Sequence, residues 1–379
     1  MLRRQARACQ APLVGQGATI AAMLWDLFCR VIDNLGDIGV CWRLSADLAA
    51  RGERVRLWID QPDALTWMAP GALEGRWPGV QVIPWHEPLP VGLVKTQPPA
   101  DVWVEAFGCD PAQECMQTLA ERLARGDRPP VWINLEYMSA EPWVERSHRL
   151  PSPVMSGPLQ GLTKWFFFPG FTPATGGLLR EPDLASRQAA FDATAWLGAM
   201  GLPSGTRRRV TLFCYEPPAL PHVLAQASDS DWLLTPGRAR QAVAASPVDL
   251  PAARVHALPP VTQREFDHLL WSSDLNCVRG EDSLVRALWA GKPFVWHIYP
   301  QHDDAHHAKL DAFLGWLQAP ASLRAFHHAW NGLTGPTSAA WPDDATLLEW
   351  GSCVQAARAR LLQQDDLVRQ LLRTATEKR

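Results

Sequence analysis

The sequence of 379 residues contains only three tyrosines, and its eight cysteines include no CxxC pair. Cysteines without such pairing are typical of a reducing compartment, so a disulfide scaffold is not expected and we predict a cytoplasmic protein. No apolar run reaches the roughly 18 residues that a membrane-spanning helix needs. The formal net charge is only −3 and no basic run could follow a phosphate backbone, which argues against nucleic-acid binding.

Tryptophan and proline are abundant instead, with 19 and 33 residues, and 47% of the chain is hydrophobic. This content argues against disorder of the whole chain. The tryptophans could stack against sugars, anchor a membrane interface or fill a core, and no spanning segment supports the second use. A few tryptophans in the irregular middle of the chain, such as Trp165, are expected to face the cleft. Most of the others lie on predicted strands or helices, which favours core packing: Trp25, Trp42, Trp58, Trp103, Trp132, Trp271, Trp289 and Trp296.

The order of apolar runs predicts two α/β units. From Leu24 onward, short runs rich in β-branched residues alternate with helical periods that end at glycine, which is typical of an open, doubly wound parallel sheet. A second alternating series follows a stretch rich in proline and glycine at 151–184. No coiled-coil heptads occur, so we predict a monomer. The predicted units are a disordered extension or misassigned start at 1–22 (a transit peptide being the alternative), an N-terminal Rossmann-like domain at 23–168, a linker at 169–184, a C-terminal Rossmann-like domain at 185–343 and a helical segment at 344–379.

The first candidate site is the loop Asp-Asn-Leu-Gly-Asp-Ile-Gly at 33–39, between the first predicted strand and helix. Ligands of open α/β sheets bind at the carboxyl ends of strands. Asp33 and Asp37 could both face that edge, and one of them could act as a general base. Either aspartate could instead cap the helix. The loop lacks the GxGxxG pattern, so a dinucleotide site is not predicted.

The second candidate site is Arg279-Gly280-Glu281-Asp282-Ser283, again at a strand-to-helix junction. The start of a helix offers unpaired N–H groups and a positive dipole end, which hold phosphate, and Arg279 could add a bidentate contact. Carboxylates beside a phosphate are unfavourable unless they meet hydroxyl groups, so Glu281 and Asp282 suggest the hydroxyls of a ribose or a sugar. The alternative is that these residues only cap the helix.

Aromatic residues near the same edge of the second unit form a third group. Phe213 and Tyr215 end its first strand, and Tyr215 is the better candidate for a polar role. Gln263 and Phe266 could meet a nucleobase by hydrogen bonding and stacking. His302, Asp303 and His306 include metal-ligand residue types, but no HExxH pattern occurs and we predict no metal.

Three segments together carry a resemblance to a known family. They are FCRVIDNLGDIGVCWRLSADLA from residue 28, FCYE from residue 213, and VRGEDSLVRALWAGKPFVWHIYPQHDDAHHAKLDAF from residue 278. They resemble the protein-arginine rhamnosyltransferases of elongation factor P, the EarP family. The resemblance extends from about Met23 to near the C-terminus and does not include residues 1–22.

The resemblance implies a GT-B fold, with two facing Rossmann-like domains and a central cleft. It further implies an inverting, metal-independent transfer of rhamnose from dTDP-β-L-rhamnose to a guanidine nitrogen of a loop arginine in elongation factor P. Asp37 matches the family's general base, Asp33 a supporting aspartate, and Glu281 an acid needed for activity. The residues that match donor-binding positions are Arg279, Asp282, Ser283, Tyr215, Gln263, Phe266, Tyr299 and, with the loosest alignment, Phe213.

Three other functions remain open at this point. The first is a different GT-B-fold enzyme acting on nucleotide-sugars, such as a 2-epimerase or a small-molecule glycosyltransferase. The second is a non-catalytic protein that binds through its tryptophans. The third is a metal hydrolase using His302, His306 and Asp303. The pair of loop aspartates favours a guanidine acceptor, because a carboxylate pair can localise and aim a delocalised guanidinium.

Overall fold

Two separate β-sheets organise the protein, described here from a computed structural model that covers residues 22–32, 35–86, 88–202, 205–227, 229–301 and 304–379. The N-terminal sheet has seven strands in the order β3-β2-β1-β4-β5-β7-β6. All neighbours are parallel except the edge pair β6 and β7. The strands are β1 (Leu24–Cys29), β2 (Arg54–Ile59), β3 (Val80–Pro84), β4 (Val102–Ala106), β5 (Val131–Leu135), β6 (Pro151–Pro153) and β7 (Thr163–Phe167).

Helices cover both faces of this sheet, which explains its continuous apolar strands. All six residues of β1 are buried, as expected for a central strand of a covered parallel sheet. One core cluster includes Trp25 and Leu27, and Phe28 belongs to a cluster on the opposite face. The helices are α1 (Gly36–Ala50), α2 (Leu65–Met68), α3 (Val91–Thr96), α4 (Gln113–Leu123) and α5 (Trp143–Ser147).

The C-terminal sheet has five strands, all parallel, in the order β10-β9-β8-β11-β12. Its strands are β8 (Arg209–Leu212), β9 (Asp231–Leu234), β10 (Val255–Ala257), β11 (Leu275–Arg279) and β12 (Phe294–His297). Its helices are α6 (Leu184–Ala189), α7 (Ala193–Ala199), α8 (Leu220–Gln226), α9 (Arg238–Ala244), α10 (Gln263–Ser272), α11 (Gly280–Ala290), α12 (Ala305–Leu317) and α13 (Ala321–Trp330).

The helical segment at the C-terminus consists of two helices that serve different cores. The first, α14 (Asp344–Leu362), buries Trp350 and Val354 in the C-terminal core. The second, α15 (Leu367–Lys378), buries Leu371 in the N-terminal core. Asp366 separates them, because its carboxylate accepts the Arg369 N–H at 2.9 Å and so caps α15. The chain therefore ends on the half in which it began, while the domain boundaries given above stay predictions.

The stretch at 151–184 is less irregular than its sequence suggests. Residues Thr163–Phe167 form β7, inside the sheet between β5 and β6. Pro151 and Pro153 lie on β6 at the sheet edge, where a missing N–H is tolerated. The expectation of irregular structure is therefore wrong for β6 and β7, because frequent proline and glycine masked two short strands.

The tryptophans are mainly core residues. All eight that were assigned to strands or helices are buried, with between 0 and 7% of their surface exposed. The expectation for Trp165 is wrong: it lies on β7 beside Lys378, whose Nζ is 3.5 Å from its ring, and it lines a cavity at the amino ends of the strands. Within the described parts of the chain, no helix is long and apolar enough to cross a membrane.

Candidate active site

The two sheets meet where α1 follows β1 and α11 follows β11. Both helices begin at the carboxyl ends of central strands and pack against each other across the two halves. Gly280 directly follows β11 and has a φ of +65°, which only glycine adopts without strain. The junction of the halves is therefore the topological position at which open α/β sheets bind ligands.

A cavity of about 190 Å³ lies on one side of this junction. The N-terminal half contributes Leu35, Gly36, Arg43, Trp67 and Met68 to its wall. Six of the eight residues predicted to bind the donor line the opposite wall: Phe213, Gln263, Phe266, Arg279, Asp282 and Ser283. We refer to it as the donor-side cavity.

Arg279 is held firmly in this wall. Its guanidinium lies between two aromatic rings, 4.6 Å from the centroid of Phe213 and 4.7 Å from that of Tyr215. Its Nη1 donates to the Cys214 carbonyl at 3.2 Å. Phe213 also meets Phe266 edge to face, with ring centroids 5.4 Å apart. The predicted aromatic residues and the predicted phosphate ligand are thus one packed unit.

Tyr215 and Ser283 have structural contacts beyond the predicted ones. Tyr215 is almost fully buried and packs edge to face on Tyr299, with centroids 5.7 Å apart. The Ser283 hydroxyl donates to the Arg279 carbonyl and accepts the Arg279 N–H at 3.0 Å. It therefore ties the first turn of α11 to the end of β11, and it also lines the cavity. The helix start has no side-chain capping hydrogen bond, so the capping alternative raised from the sequence is not what the structure shows.

A second cavity, of about 310 Å³, lies on the other side of Gly36 and is lined by two of the three predicted catalytic carboxylates, Asp37 and Glu281. We refer to it as the acceptor-side cavity. Asp37 is 2% exposed, and its Oδ2 accepts the Ile32 N–H at 2.8 Å. Its Oδ1 accepts the Tyr137 hydroxyl at 3.4 Å. Tyr299, predicted to bind the donor, lies on this side. Asp33 and its predicted role lie outside the described residues.

Glu281 faces the same cavity from α11. Its Oε1 accepts Lys309 Nζ at 2.7 Å and its Oε2 accepts the Met138 N–H at 2.9 Å. Burial raises the pKa of the Glu281 carboxyl and nearby Asp37 raises it further, while Lys309 and the Met138 N–H oppose the shift. Two adjacent residues therefore contact the two carboxylates of this cavity: the Tyr137 hydroxyl contacts Asp37, and the Met138 N–H contacts Glu281.

Several residues of the site were not predicted. Tyr137 stacks on Phe107 with centroids 4.5 Å apart, and Phe107 has a φ of +58°, a left-handed conformation that is strained for a non-glycine residue. Both follow the carboxyl ends of strands, β5 and β4, and that position was the available signal. Lys309 lies within α12 and Arg43 within α1, where no sequence pattern distinguishes them from ordinary helix residues.

One cluster with metal-ligand residue types lies in the described part of the chain. Ligand atoms of Asp304, His306 and His307 lie within 4.8 Å of one another. His306 Nδ1 accepts the Gln301 N–H at 3.1 Å. The His302 and Asp303 of the metal-hydrolase hypothesis lie outside the described residues.

Two parallel α/β halves that face each other across a cavity of this composition define a glycosyltransferase of the GT-B fold. A family profile described as "Elongation-Factor P (EF-P) rhamnosyltransferase EarP" matches residues 25–376. The chain belongs to this family. The predicted fold class and family are therefore confirmed.

Individual relatives agree with the family assignment. A protein-arginine rhamnosyltransferase of Pseudomonas aeruginosa is 44% identical over 365 residues, covering 86% of this chain and 92% of the relative. One of Pseudomonas putida is 42% identical over 385 residues, covering 92% and 97%. A solved structure described as "Structural basis for EarP-mediated arginine glycosylation of translation elongation factor EF-P" is 28% identical, has a TM-score of 0.58 and covers 94% of this chain and 99% of that one.

Proposed function

We propose that this protein transfers rhamnose from dTDP-β-L-rhamnose to a guanidine nitrogen of one loop arginine in elongation factor P, with inversion at the anomeric carbon. The observation that carries the proposal is the pair of cavities that meet at Gly36, one lined by Arg279 and aromatic rings and the other by Asp37 and Glu281. Membership of the family supplies the acceptor and the sugar. We further propose that it acts as a monomer in the cytoplasm, in keeping with the seven free cysteines among the described residues.

The donor-side cavity suits an anionic nucleotide. Arg279 offers a fixed positive charge, and the start of α11 offers backbone N–H groups and the positive end of a helix dipole. Phe213 and Phe266 offer aromatic faces and edges for a thymine base. In our proposal, these groups also stabilise the negative charge that develops on the departing dTDP.

The acceptor-side cavity suits a guanidinium. A free arginine is a poor nucleophile because its charge is delocalised and its pKa exceeds about 12. Asp37 can hydrogen-bond the guanidinium, localise its charge and aim one nitrogen at the anomeric carbon. The Glu281 carboxylate, which binds Lys309, adds negative potential on the opposite wall.

The reaction is one displacement. A guanidine nitrogen forms a bond to the anomeric carbon as the bond between that carbon and the diphosphate oxygen breaks. The electron pair of the broken bond leaves with dTDP, and the nitrogen's proton passes to Asp37 as the new bond forms. Attack from the face opposite the leaving group converts the β-linked donor into an α-linked product. Prior removal of the proton is unnecessary, which avoids a large energetic cost.

We propose that no metal takes part, because Arg279 and the start of α11 can supply the positive charge that a divalent cation would otherwise bring to the diphosphate. Incubation of elongation factor P with the protein and dTDP-β-L-rhamnose should add the mass of one deoxyhexose to the factor. The initial rate should be unchanged in excess chelator. A rate that falls with chelator and recovers with a divalent cation would contradict metal independence, and no mass gain with an intact donor would contradict the proposed function itself.

A further inference from the structure

Helix α1 of the N-terminal half approaches the C-terminal half unusually closely at Gly39. A Cβ atom at this position would lie 3.2 Å from Asp282 Oδ2 and 3.4 Å from Gln263 Nε2. Gln263 Nε2 donates to the Gly39 carbonyl at 2.8 Å. Two residues predicted to bind the donor are thus in direct contact with the other half of the molecule.

Arg43 lies one turn further along α1 and extends the contact. Its Nε is 2.9 Å from Asp282 Oδ1, and its Nη2 donates to the Gln263 carbonyl at 3.2 Å. Its Nη1 donates to Glu181 Oε1 at 3.2 Å, on the segment that joins the two halves. The Arg43 side chain is only 4% exposed and also lines the donor-side cavity.

Arg43 Nη2 also lies 3.6 Å from Asp267 Oδ1, and the three acids around Arg43 differ in their other partners. Arg286 donates to Asp267 through Nε at 2.7 Å and Nη2 at 2.6 Å, and to Glu181 through Nη1 at 2.7 Å. Asp282 has no second partner of this kind: among the described residues, Arg43 is the only cation within ion-pair distance of it. Without Arg43, the Asp282 carboxylate would be a buried charge with no counter-charge in contact, beside the proposed diphosphate position.

We propose that Arg43 is a positioning residue for the donor site, carrying a positive charge from the N-terminal half to hold the Asp282 carboxylate and the start of α10. Because both groups line the donor-side cavity, the cavity is complete only when the halves are together. Arg43 also offsets the repulsion between Asp282 and an anionic nucleotide. The inference rests on the proposed use of this cavity by the donor.

The test compares Arg43→Gln with Arg51→Gln. Arg51 directly follows the end of α1 and is a matched control, because it also forms a partly buried ion pair, with Asp47 and Asp366, at 2.8 Å from each. We expect Arg43→Gln to raise the donor KM by at least about tenfold, because truncation of one partner in a buried charge pair weakens a site by that factor or more. Arg51→Gln should leave the donor KM within about twofold.

Hydrogen–deuterium exchange separates this inference from the proposed function, because it needs no substrate. Arg43→Gln should accelerate amide exchange at the starts of α10 and α11, whereas Arg51→Gln should not. Unchanged exchange there, or an equal change in both variants, would overturn the positioning role. If wild type transfers no sugar but the exchange pattern appears, the contact stands and the proposed function fails.

A double variant tests whether Arg43 acts through Asp282. Asp282→Asn removes the charge that Arg43 compensates, so adding Arg43→Gln to it should raise the donor KM by less than Arg43→Gln does alone. Equal effects in the two backgrounds would show that Arg43 does not act through Asp282. If Arg43→Gln fails to fold, Arg43→Lys is used instead. Lysine keeps the positive charge but lacks the planar guanidinium, so we expect a smaller rise in the donor KM. An unchanged donor KM in Arg43→Lys would contradict the positioning role.

Discussion

The two cavities that meet at Gly36 differ in the charge they present. The donor-side cavity contains Arg279 between two aromatic rings, together with the start of a helix. The acceptor-side cavity contains Asp37 and Glu281, both mainly buried. An anion is suited to the first cavity and a cation to the second. The junction of the two halves therefore offers adjacent cavities that suit groups of opposite charge.

The comparison also shows how each carboxylate is kept in place. Asp37 is held by groups of the N-terminal half, the Ile32 N–H and the Tyr137 hydroxyl. Glu281 belongs to the C-terminal half but accepts the Met138 N–H of the N-terminal half. The acceptor-side cavity is thus assembled from both halves, as the donor-side cavity is through Arg43.

The largest expected effect is the loss of transfer in Asp37→Asn. The amide keeps the shape but cannot accept the proton, so the transfer rate should fall by at least about a hundredfold. Affinity for dTDP should stay within about twofold, because Asp37 lies outside the donor-side cavity. Rates are measured by intact mass of the acceptor and affinity by calorimetry.

Asp47→Asn is the control for that experiment, since Asp47 is a buried aspartate on the same helix and pairs with Arg51. It should retain transfer. Equal loss of dTDP binding and transfer in Asp37→Asn would contradict the division between the two cavities.

The next effect belongs to the donor side. Arg279→Gln removes the fixed charge from the cavity wall and should weaken dTDP binding by about tenfold or more. Arg238→Gln is the matched control, because the Arg238 guanidinium also lies near the ring of Tyr215, 4.8 Å from its centroid. Arg238 differs from Arg279 in being more exposed and in pairing with Glu216. It should change binding by less than about threefold. Similar losses in both variants would mean that general positive charge, and not the cavity wall, binds the nucleotide.

A smaller effect is expected from Tyr137→Phe. The change removes one hydrogen bond to Asp37 and keeps the ring stacked on Phe107, so kcat should fall by about two- to tenfold. The donor KM should not change, because Tyr137 lies on the acceptor side. Steady-state rates at varied donor concentration separate the two constants, and a raised donor KM with normal kcat would contradict this placement.

The last comparison concerns stability instead of turnover, and it contrasts buried carboxylates in the two halves. Two arginines, Arg286 and Arg43, lower the pKa of buried Asp267 against the effect of burial. Glu105 on β4 forms an ion pair with a lysine, Lys164, and burial raises its pKa to about 7. Because its pKa is higher in the folded state, the Glu105 carboxyl favours folding when it is protonated. This stabilisation is complete below the unfolded-state pKa of about 4.5 and is lost as the pH rises through the folded-state pKa of about 7.

Glu105→Gln removes this titration. Relative to the variant, wild type should lose on the order of 2 kcal/mol of unfolding free energy between about pH 4.5 and pH 8. Urea unfolding at several pH values measures the difference. If the difference in unfolding free energy between wild type and variant does not change with pH, or grows in favour of wild type as the pH rises, then Lys164 and not burial dominates the pKa of Glu105.

Much of this arrangement was predictable from the sequence, because a strand and the loop that follows it are adjacent in the chain. Asp37, Arg279 and Glu281 come at the carboxyl ends of central strands, and their residue types suggested their chemistry. Tyr137 and Arg43 were not predictable in this way. Tyr137 lies 100 positions from Asp37, and Arg43 lies 138 positions from Glu181, so only the packing of the two halves brings them into contact. Trp165 was misassigned for the same reason, since β7 could not be placed in the sheet from its own residues.

The most direct measurement is to locate and define the added sugar on elongation factor P. After incubation with the protein and dTDP-β-L-rhamnose, peptide fragmentation should find one deoxyhexose on one arginine side chain, and NMR of the purified peptide should show an α linkage. Addition at a hydroxyl group, retention of the β linkage, or no addition with intact donor would contradict the account.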